Sequence, residues 1–319
     1  MNTYFKAAGI ALLLTMAAGP IAAHANGNQP KACSSTTSAA FAACLYEALD
    51  DFWIGNGKCQ NESARDDRKE CFADTRVSLR ETTQECRAQR DARAELCDDL
   101  GEAPFDPPFD PENFVAWGVI DANGMWNPWM PLIPGRTLVY ESADETVEVT
   151  VTSDTKYIGG VECRVVRDVV KGEDGELIED TIDWFAQDIY GNVWYCGEAT
   201  AEYEDGFPVN IDGSFQAGLD GAKAGLVMKA APAVGDVYRQ EFDLGNAEDA
   251  AEVMSLHGSS AATPQGASCV ADCLVTREFT PLDPDANENK YYKPGIGVVL
   301  TIDLETGGRT ELVEIIDNP

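Results

Sequence analysis

Polar and apolar residues alternate along much of the chain beyond residue 136. TVEVTVT at Thr146 to Thr152 sets valine against polar residues at period two, and the same alternation returns in VECRVVRDVV from Val161, IEDTIDWFA from Ile178, VVLTIDLE from Val298 and RTELVEII from Arg309. Each such run predicts a strand with one buried and one wet face. EDGE at Glu173 to Glu176, YGN at Tyr190 to Asn192 and TGG at Thr306 to Gly308 are turn signals between runs, so consecutive strands are expected to pair as antiparallel hairpins. Adding DVYRQEF, AEVMSL, CLVTREFT and NKYY brings the count to roughly ten to twelve strands, more than an isolated open sheet carries without curling. NAEDAAEVM at Asn246 to Met254 is the one stretch here with helical character, and it reads equally as the run-up to a strand.

Before residue 100 the period changes. CFADTRVSLRETTQECRAQRDARAELC, Cys71 to Cys97, has neither glycine nor proline and predicts helix, yet it carries three of the six cysteines Cys33, Cys44, Cys59, Cys71, Cys86 and Cys97. Taken from the outside inward, the position numbers of Cys33 with Cys97, Cys44 with Cys86 and Cys59 with Cys71 share one sum. Residues facing each other across an antiparallel hairpin have that property, with the turn near Arg65. Cys33 to Cys44 and Cys86 to Cys97 also repeat one spacing, close to three turns at ~3.6 residues each, so each pair lies along one stripe. Of the connectivities open to six cysteines, the nested one is expected. GNG at Gly55 to Gly57 is a helix breaker, expected to interrupt the first arm and leave Cys59 in a connecting segment.

The expected class is α+β: a disulfide-stapled antiparallel helical hairpin followed by a strongly curved antiparallel sheet or barrel-like domain. The divisions fall at residues 1–25, a signal peptide; 26–100, the hairpin; 101–124, a proline-rich linker; and 125–319, the β domain. In the linker Pro104, Pro107, Pro108 and Pro111 favour an extended path, and Phe105, Phe109 and Phe114 recur as though it lies against a surface.

The signal reading rests on Lys6, the apolar run AAGIALLLTMAA and the small-x-small AHA ending at Ala25. No later run approaches the ~20 apolar residues needed to cross a bilayer, so export to the periplasm or exterior is expected. An oxidising compartment makes disulfides the default fate of cysteine. The chain carries 55 acidic against 23 basic residues, a formal net charge of −32, which makes nucleic acid and anionic membrane poor partners. There is no CxxCH or CxxC for haem or zinc. Cys269 and Cys273, in CVADC, are close enough to close a small loop. Cys163 and Cys196 would sit two strands apart in a plain meander, about 9 to 10 Å, too far for a bridge; either the sheet folds over there or these two pair with the CVADC loop.

The six cysteines around DDFWIGNGKC, then FDPPFDPENFV, NPWMPLIPG and KYYKPGIGVV, resemble a family of exported bacterial proteins with no established activity. The N-P-x-x-P-L-x-P-G motif leading into the β domain is similar to that of many secreted bacterial proteins, and the β domain is similar in fold to the curved half-barrel of periplasmic lipoprotein carriers. The resemblance implies a fold and carries no chemistry.

Candidate chemistry is sparse. His257, the one histidine outside the signal, lies in a Ser/Ala/Gly loop without a G-x-S-x-G elbow, which leaves Ser255, Ser259 and Ser260 near it in sequence alone. A glycoside hydrolase needs two carboxylates, and Asp183 in TIDWF and Glu241 in YRQEF are the acids in aromatic-rich strands. DPDANEN at Asp283 to Asn289 offers alternate oxygens to calcium but lacks the central glycine and closing glutamate of a calcium loop. No cofactor is otherwise expected. Trp126, Trp129, Tyr140, Trp184, Trp194, Tyr195, Tyr238, Tyr291 and Tyr292 would line a concavity or fill the sheet's interior. The composite reading is an exported, non-enzymatic protein binding an apolar ligand or a partner surface. A secreted carboxylate-dependent hydrolase and a structural or adhesive surface component are the alternatives.

Overall fold

The computed structural model describes residues 31–317 apart from 262 and 265; the signal reading of residues 1–25 lies outside the described residues. Two long helices, α1 (Ala32–Gln60) and α2 (Arg65–Leu100), run antiparallel. They are bridged by Cys33–Cys97, Cys44–Cys86 and Cys59–Cys71, with Cα separations of 5.7, 5.8 and 5.5 Å. The expected interruption at GNG does not occur: α1 continues to Gln60 and holds Cys59 in its last turn. A Cβ at Gly55 would come within 2.6 Å of Thr75 Cγ2 on the facing helix, so this glycine lets the two helices close up beside the Cys59–Cys71 bridge. That packing overrides a helix-propensity cost of about 1 kcal/mol per glycine.

The β domain holds β1 (Arg136–Glu141), β2 (Glu145–Ile158), β3 (Val161–Gly172), β4 (Leu177–Gln187), β5 (Val193–Glu204), β6 (Phe207–Asn210), β7 (Phe215–Gln216), β8 (Lys223–Met228), β9 (Val237–Arg239), β10 (Glu241–Phe242), β11 (Ala250–Gly258), β12 (Cys273–Phe279), β13 (Asn287–Lys293), β14 (Gly297–Asp303) and β15 (Arg309–Asp317). The sheet is 15-stranded, ordered β10-β8-β5-β4-β3-β2-β1-β15-β14-β13-β12-β11-β9, with β6 and β7 attached to β5. Asn246–Met254 is not helical. Gly245 to Glu248 forms a tight turn in which the Gly245 N–H bonds the Glu248 carboxylate, and Ala250 onward pairs with β12.

The two ends of this sheet meet in one segment. β9 pairs with β11 and β10 pairs with β8, with Gln240 alone between them, so Val237–Phe242 belongs to both edges. Where the carrier resemblance implies an open half-barrel, this barrel is nearly closed. Gly225 of β8 allows the closure, since a Cβ there would stand 2.4 Å from the Gln240 carbonyl carbon.

The stretch 101–124 ends in a helix rather than continuing extended. α3 (Trp117–Asn123) terminates at Gly124 in the left-handed conformation and plugs one end of the barrel with Trp117 and Ile120. Trp117 Nε1 donates to the Phe185 carbonyl at 3.2 Å. Upstream, Phe109 and Phe114 pack edge-to-face with each other and against Trp194 on the outer wall. On that wall Cys163 and Cys196 are bonded, with Cα atoms 6.6 Å apart. The bridge exists because β5 has a bulge between its Trp184↔Gly197 and Phe185↔Tyr195 pairs, which makes Cys196 an extra residue, and because the intervening Ala186 is small enough to pass beneath it. Cys269–Cys273 closes the fifth bridge, and the described residues include no free cysteine.

The hairpin docks on the closing segment. Arg93 of α2, 3% exposed, makes a bidentate pair with Glu248, 0% exposed, through Nη2 at 2.7 Å and Nε at 2.9 Å. Arg239 lies beside this pair, its guanidinium 4.8 Å from the Phe242 ring, and Phe105 of the linker meets Phe242 edge-on. Gln89 adds a bond to the Leu282 carbonyl.

Removing one partner strands the other charge in the interior. Arg93→Ala is therefore expected to cost about 3–5 kcal/mol in denaturant unfolding, with only part of the loss restored in the double variant Arg93→Met/Glu248→Leu, because the buried Arg239 then loses the carboxylate beside it.

Candidate ligand cavity

Inward positions along the strands form layers that cross the barrel interior. On β3 the inward series is Arg164, Val166 and Asp168; on β4 it is Phe185 and Asp183; on β2 it is Val151, Val149 and Val147. The first layer anchors the plug. Arg164, 2% exposed, donates from Nη2 to Asp121 of α3 at 2.6 Å and from Nη1 to the Leu132 carbonyl at 3.1 Å, and it stacks on Trp117. The NPWMP run completes this layer. Asn127 Oδ1 accepts from the N–H groups of Trp129 and Met130, its Nδ2 donates to the Gly191 carbonyl, and Gln187 bonds both the Asn127 N–H and the Met125 carbonyl. The motif is thus a buried turn that seats the plug.

Above the plug lies a cavity of about 420 Å³. Its lower wall is apolar: Met130, Leu132, Leu138, Val147, Val149, Val151, Val166, Phe185, Val227, Ile296 and Val298. Its upper wall carries Asp168, Asp183, Gln240, Glu241, Asp249, Glu278 and Lys290, with Tyr140, Tyr195 and Tyr292 between the two zones. Asp249, Glu278 and Lys290 are shared with an adjoining hollow lined by Thr280, Ala286, Asn287, Glu288 and Asp303, where the interior reaches the surface.

One carboxylate here is fully engaged. Glu278 accepts from Tyr292 at 2.7 Å and Thr276 at 2.9 Å and pairs with Lys290 at 2.9 Å. Burial alone would raise its pKa, but Lys290 and the two hydroxyls bring it below the ordinary glutamate value. Burial alone would lower Lys290, and Glu278 with Glu288 holds it well above the usual lysine value.

The remaining acids lack such a partner. Burial, reinforced by Glu179, pushes Asp168 up to about 7, and burial likewise lifts Glu198 of β5 to about 7. Asp183 and Glu241 are raised well above their ordinary values, chiefly by burial; the Tyr195 hydrogen bond opposes the rise at Asp183, while Asp168 and Glu198 add to it, and Asp249 and Glu198 add to it at Glu241. The Tyr195 hydroxyl contacts both Asp183 and Glu198, the latter at 2.9 Å. A phenol has one proton to donate, so the second contact is made by a protonated carboxyl donating to the phenol oxygen. Tyr195 is fixed by stacking on Phe185, their ring centroids 4.8 Å apart.

The two acids singled out from aromatic-rich strands, Asp183 and Glu241, are brought into this one cavity. Of the aromatic candidates, Tyr140 lines it, its hydroxyl bonded to the Val298 carbonyl, and Tyr195 and Tyr292 line it too. The others fill space. Trp126 and Trp129 pack at the plug, Trp184 and Trp194 lie on the outer wall with the Cys163–Cys196 bridge, Tyr238 is in the lower core, and Tyr291 packs near Cys269 and Cys273. Asp168, Glu198, Gln240, Glu278 and Lys290 were not singled out from the sequence, although Asp168 falls in phase with the buried Val166, and that coincidence is the available signal. His257 is exposed on β11. Of Asp283 to Asn289, the first four residues form a turn near the cavity mouth, in which Asp283 Oδ1 accepts from the Asp285 N–H, and Asn287 to Asn289 open β13. Among the described residues no group of three or more His, Cys, Asp or Glu side chains is placed to hold a metal ion, and no helix is long and apolar enough to cross a membrane.

No family model and no curated protein matches the chain. Among solved structures it is similar to a Bacteroides fragilis protein provisionally described as exported and as having a YmcC-like fold. That likeness has 14% identity and a TM-score of 0.34, and covers 59% of this chain and 98% of that one.

The raised carboxyls fix the sign of a pH effect. Asp168 and Glu198 hold their protons up to about pH 7 in the fold but lose them near pH 4 once unfolded. Between these values the folded state binds more protons, so its stability falls as pH rises. The denaturation midpoint of the ligand-free protein is expected to decline from pH 5 to pH 8, and Asp168→Asn to flatten that decline. Glu278, lowered by its partners, acts in the opposite sense only below the ordinary glutamate range, outside this window.

Proposed function

We propose that this is an exported, non-enzymatic binding protein that takes a small apolar or amphipathic molecule into its barrel. The cavity carries the reading. About 420 Å³ of space lies inside a nearly closed barrel, its lower part walled by valine, leucine and phenylalanine, plugged at one end and reaching the surface at the other; ligand pockets run about 300–1,000 Å³ and join an apolar wall to placed polar groups. Five disulfides without a free cysteine among the described residues support export to an oxidising compartment, with residues 1–25 acting as the signal. A structural or adhesive component is better served by a filled barrel.

The pair Asp183 and Glu241 keeps the hydrolase reading in play, since both are raised as a general acid would be. That chemistry also needs an ionised carboxylate free to attack or to activate water. Glu278, the acid held ionised, is saturated by Lys290, Tyr292 and Thr276, which favours binding over hydrolysis.

N-phenyl-1-naphthylamine, an uncharged apolar fluorophore, tests the reading. Its emission should rise saturably at one site per chain, and Val149→Trp or Val166→Trp, which fill the lower cavity, should abolish the rise while circular dichroism shows the sheet intact. A linear, unsaturable rise in the native protein would sink the binding reading, and turnover of aryl glycosides lost in Asp183→Asn would install the hydrolase in its place.

A further inference from the structure

The upper half of the cavity is more than a patch of acidity. Gln240, in the closing segment, is 7% exposed and lines the cavity, yet its side-chain amide has no hydrogen-bond partner among the described residues. Asp183, 8% exposed, uses one oxygen toward Tyr195 and leaves the other unbonded on the cavity wall. Buried polar groups are almost always satisfied, so a polar side chain left open on a roomy cavity marks where a ligand's polar atom belongs.

We infer that this half of the cavity receives the cationic nitrogen of an amphipathic amine, held by the Asp183 and Glu241 carboxylates and the Gln240 carbonyl, with the amine's apolar chain lying against Val149, Val166 and Phe185. The inference rests on the binding reading above and adds the class of head group. An anion would meet carboxylates with two cations already committed, Lys290 to Glu278 and Glu288, and Arg136, lower on the cavity wall, to Asp317 and the Gly295 carbonyl. A bare metal ion needs ligands converging on one point, and the acids are instead spread around the wall. An ammonium group donates along several directions and tolerates that spread.

The empty cavity is held together by protons, as the Tyr195 contacts require, and an entering cation replaces one. The groups facing the head come from every side: Asp168 of β3; Glu179 and Asp183 of β4; Tyr195 and Glu198 of β5; Glu241 of β10. Opposite them stand Asp249 before β11, Glu278 of β12 and Lys290 of β13, with Tyr140 of β1 beneath. Lys290 stays charged and Glu278 stays paired throughout, so the titrating partners are the acids on the other wall. A primary alkylamine remains protonated over this range, as lysine does near 10.4. Its binding therefore strengthens as pH rises through 7, by up to about tenfold per unit for each proton displaced.

Calorimetric titration of the native protein with octylamine, octanol and octanoate, which share one chain and differ in the head, tests this directly. At pH 8 octylamine should bind at least about tenfold more tightly than octanol, and that ratio should shrink toward one at pH 5.5. Octanoate should be weakest, and the apparent heat at pH 7 should change with buffer ionisation enthalpy in the sense of proton release. In Glu241→Gln the octylamine-to-octanol ratio should fall toward one, a comparison internal to one folded variant. If octanol and N-phenyl-1-naphthylamine bind but octylamine is no tighter than octanol at pH 8, the amine assignment is overturned and the apolar cavity survives. If none of the four binds, both readings fall.

Discussion

A sheet curled into a barrel is sealed only when its two edge strands find a common partner, and here that partner is Val237–Phe242. One half of the segment bonds β11 and the other half bonds β8, with Gln240 at the change of partner. Without it, both edges would present unpaired N–H and C=O groups to water and the interior would be an open trough. The cavity, the desolvation of Asp168 and Asp183 and the proton shared around Tyr195 all presuppose that seam. The backbone can run so close to β8 because Gly225 has no Cβ to meet Gln240.

The helical hairpin reads as a clamp on the seam. Few residues of α1 are buried, and three of its four buried ones, Thr37, Ala40 and Ala48, are small. Its cohesion falls to the bridges, in keeping with how small modules with little core persist. Through Arg93 it reaches Glu248 at the turn before β11, and through Phe105 the linker reaches Phe242 on the far side of the change of partner. Both contacts sit on the stretch of sheet with the shortest ladders. The acidity of the cavity and the buried pair outside it are kept apart by the break in the strand at Gln240, which interrupts the period-two alternation and so turns Arg239 toward the hairpin and Glu241, two residues on, toward the cavity.

The long strands were legible because valine and threonine keep period two over many residues, as in Thr146 to Thr152, and the helices because cysteine positions mirror each other about a turn. The closure was not legible: β7, β9 and β10 are too short to show any period, and the pairing of β1 with β15 joins the two ends of the domain. Reading GNG as a break failed because propensity knows nothing of Thr75 on the facing helix. The site was half visible. Asp183 and Glu241 stood out by their aromatic neighbours, but an acid in phase with buried valines, as Asp168 is, looks like a flaw in a strand until the lumen it faces is known. The tryptophans misdirect for a similar reason: large rings on the outer wall are buried by the linker, whose course depends on the very surface it covers.

The Cys163–Cys196 bridge has a mechanical corollary. It ties β3 to β5 across β4, and the linker's phenylalanines lie over the same wall, so that side of the barrel behaves as a stiff plate. On the opposite side β14 meets β15 only through Leu300↔Glu311, Thr301↔Thr310 and Ile302↔Arg309, next to the bulge at Val299. Any breathing that widens the lumen is borne by that compliant side, while the other, carrying the acids, keeps its spacing.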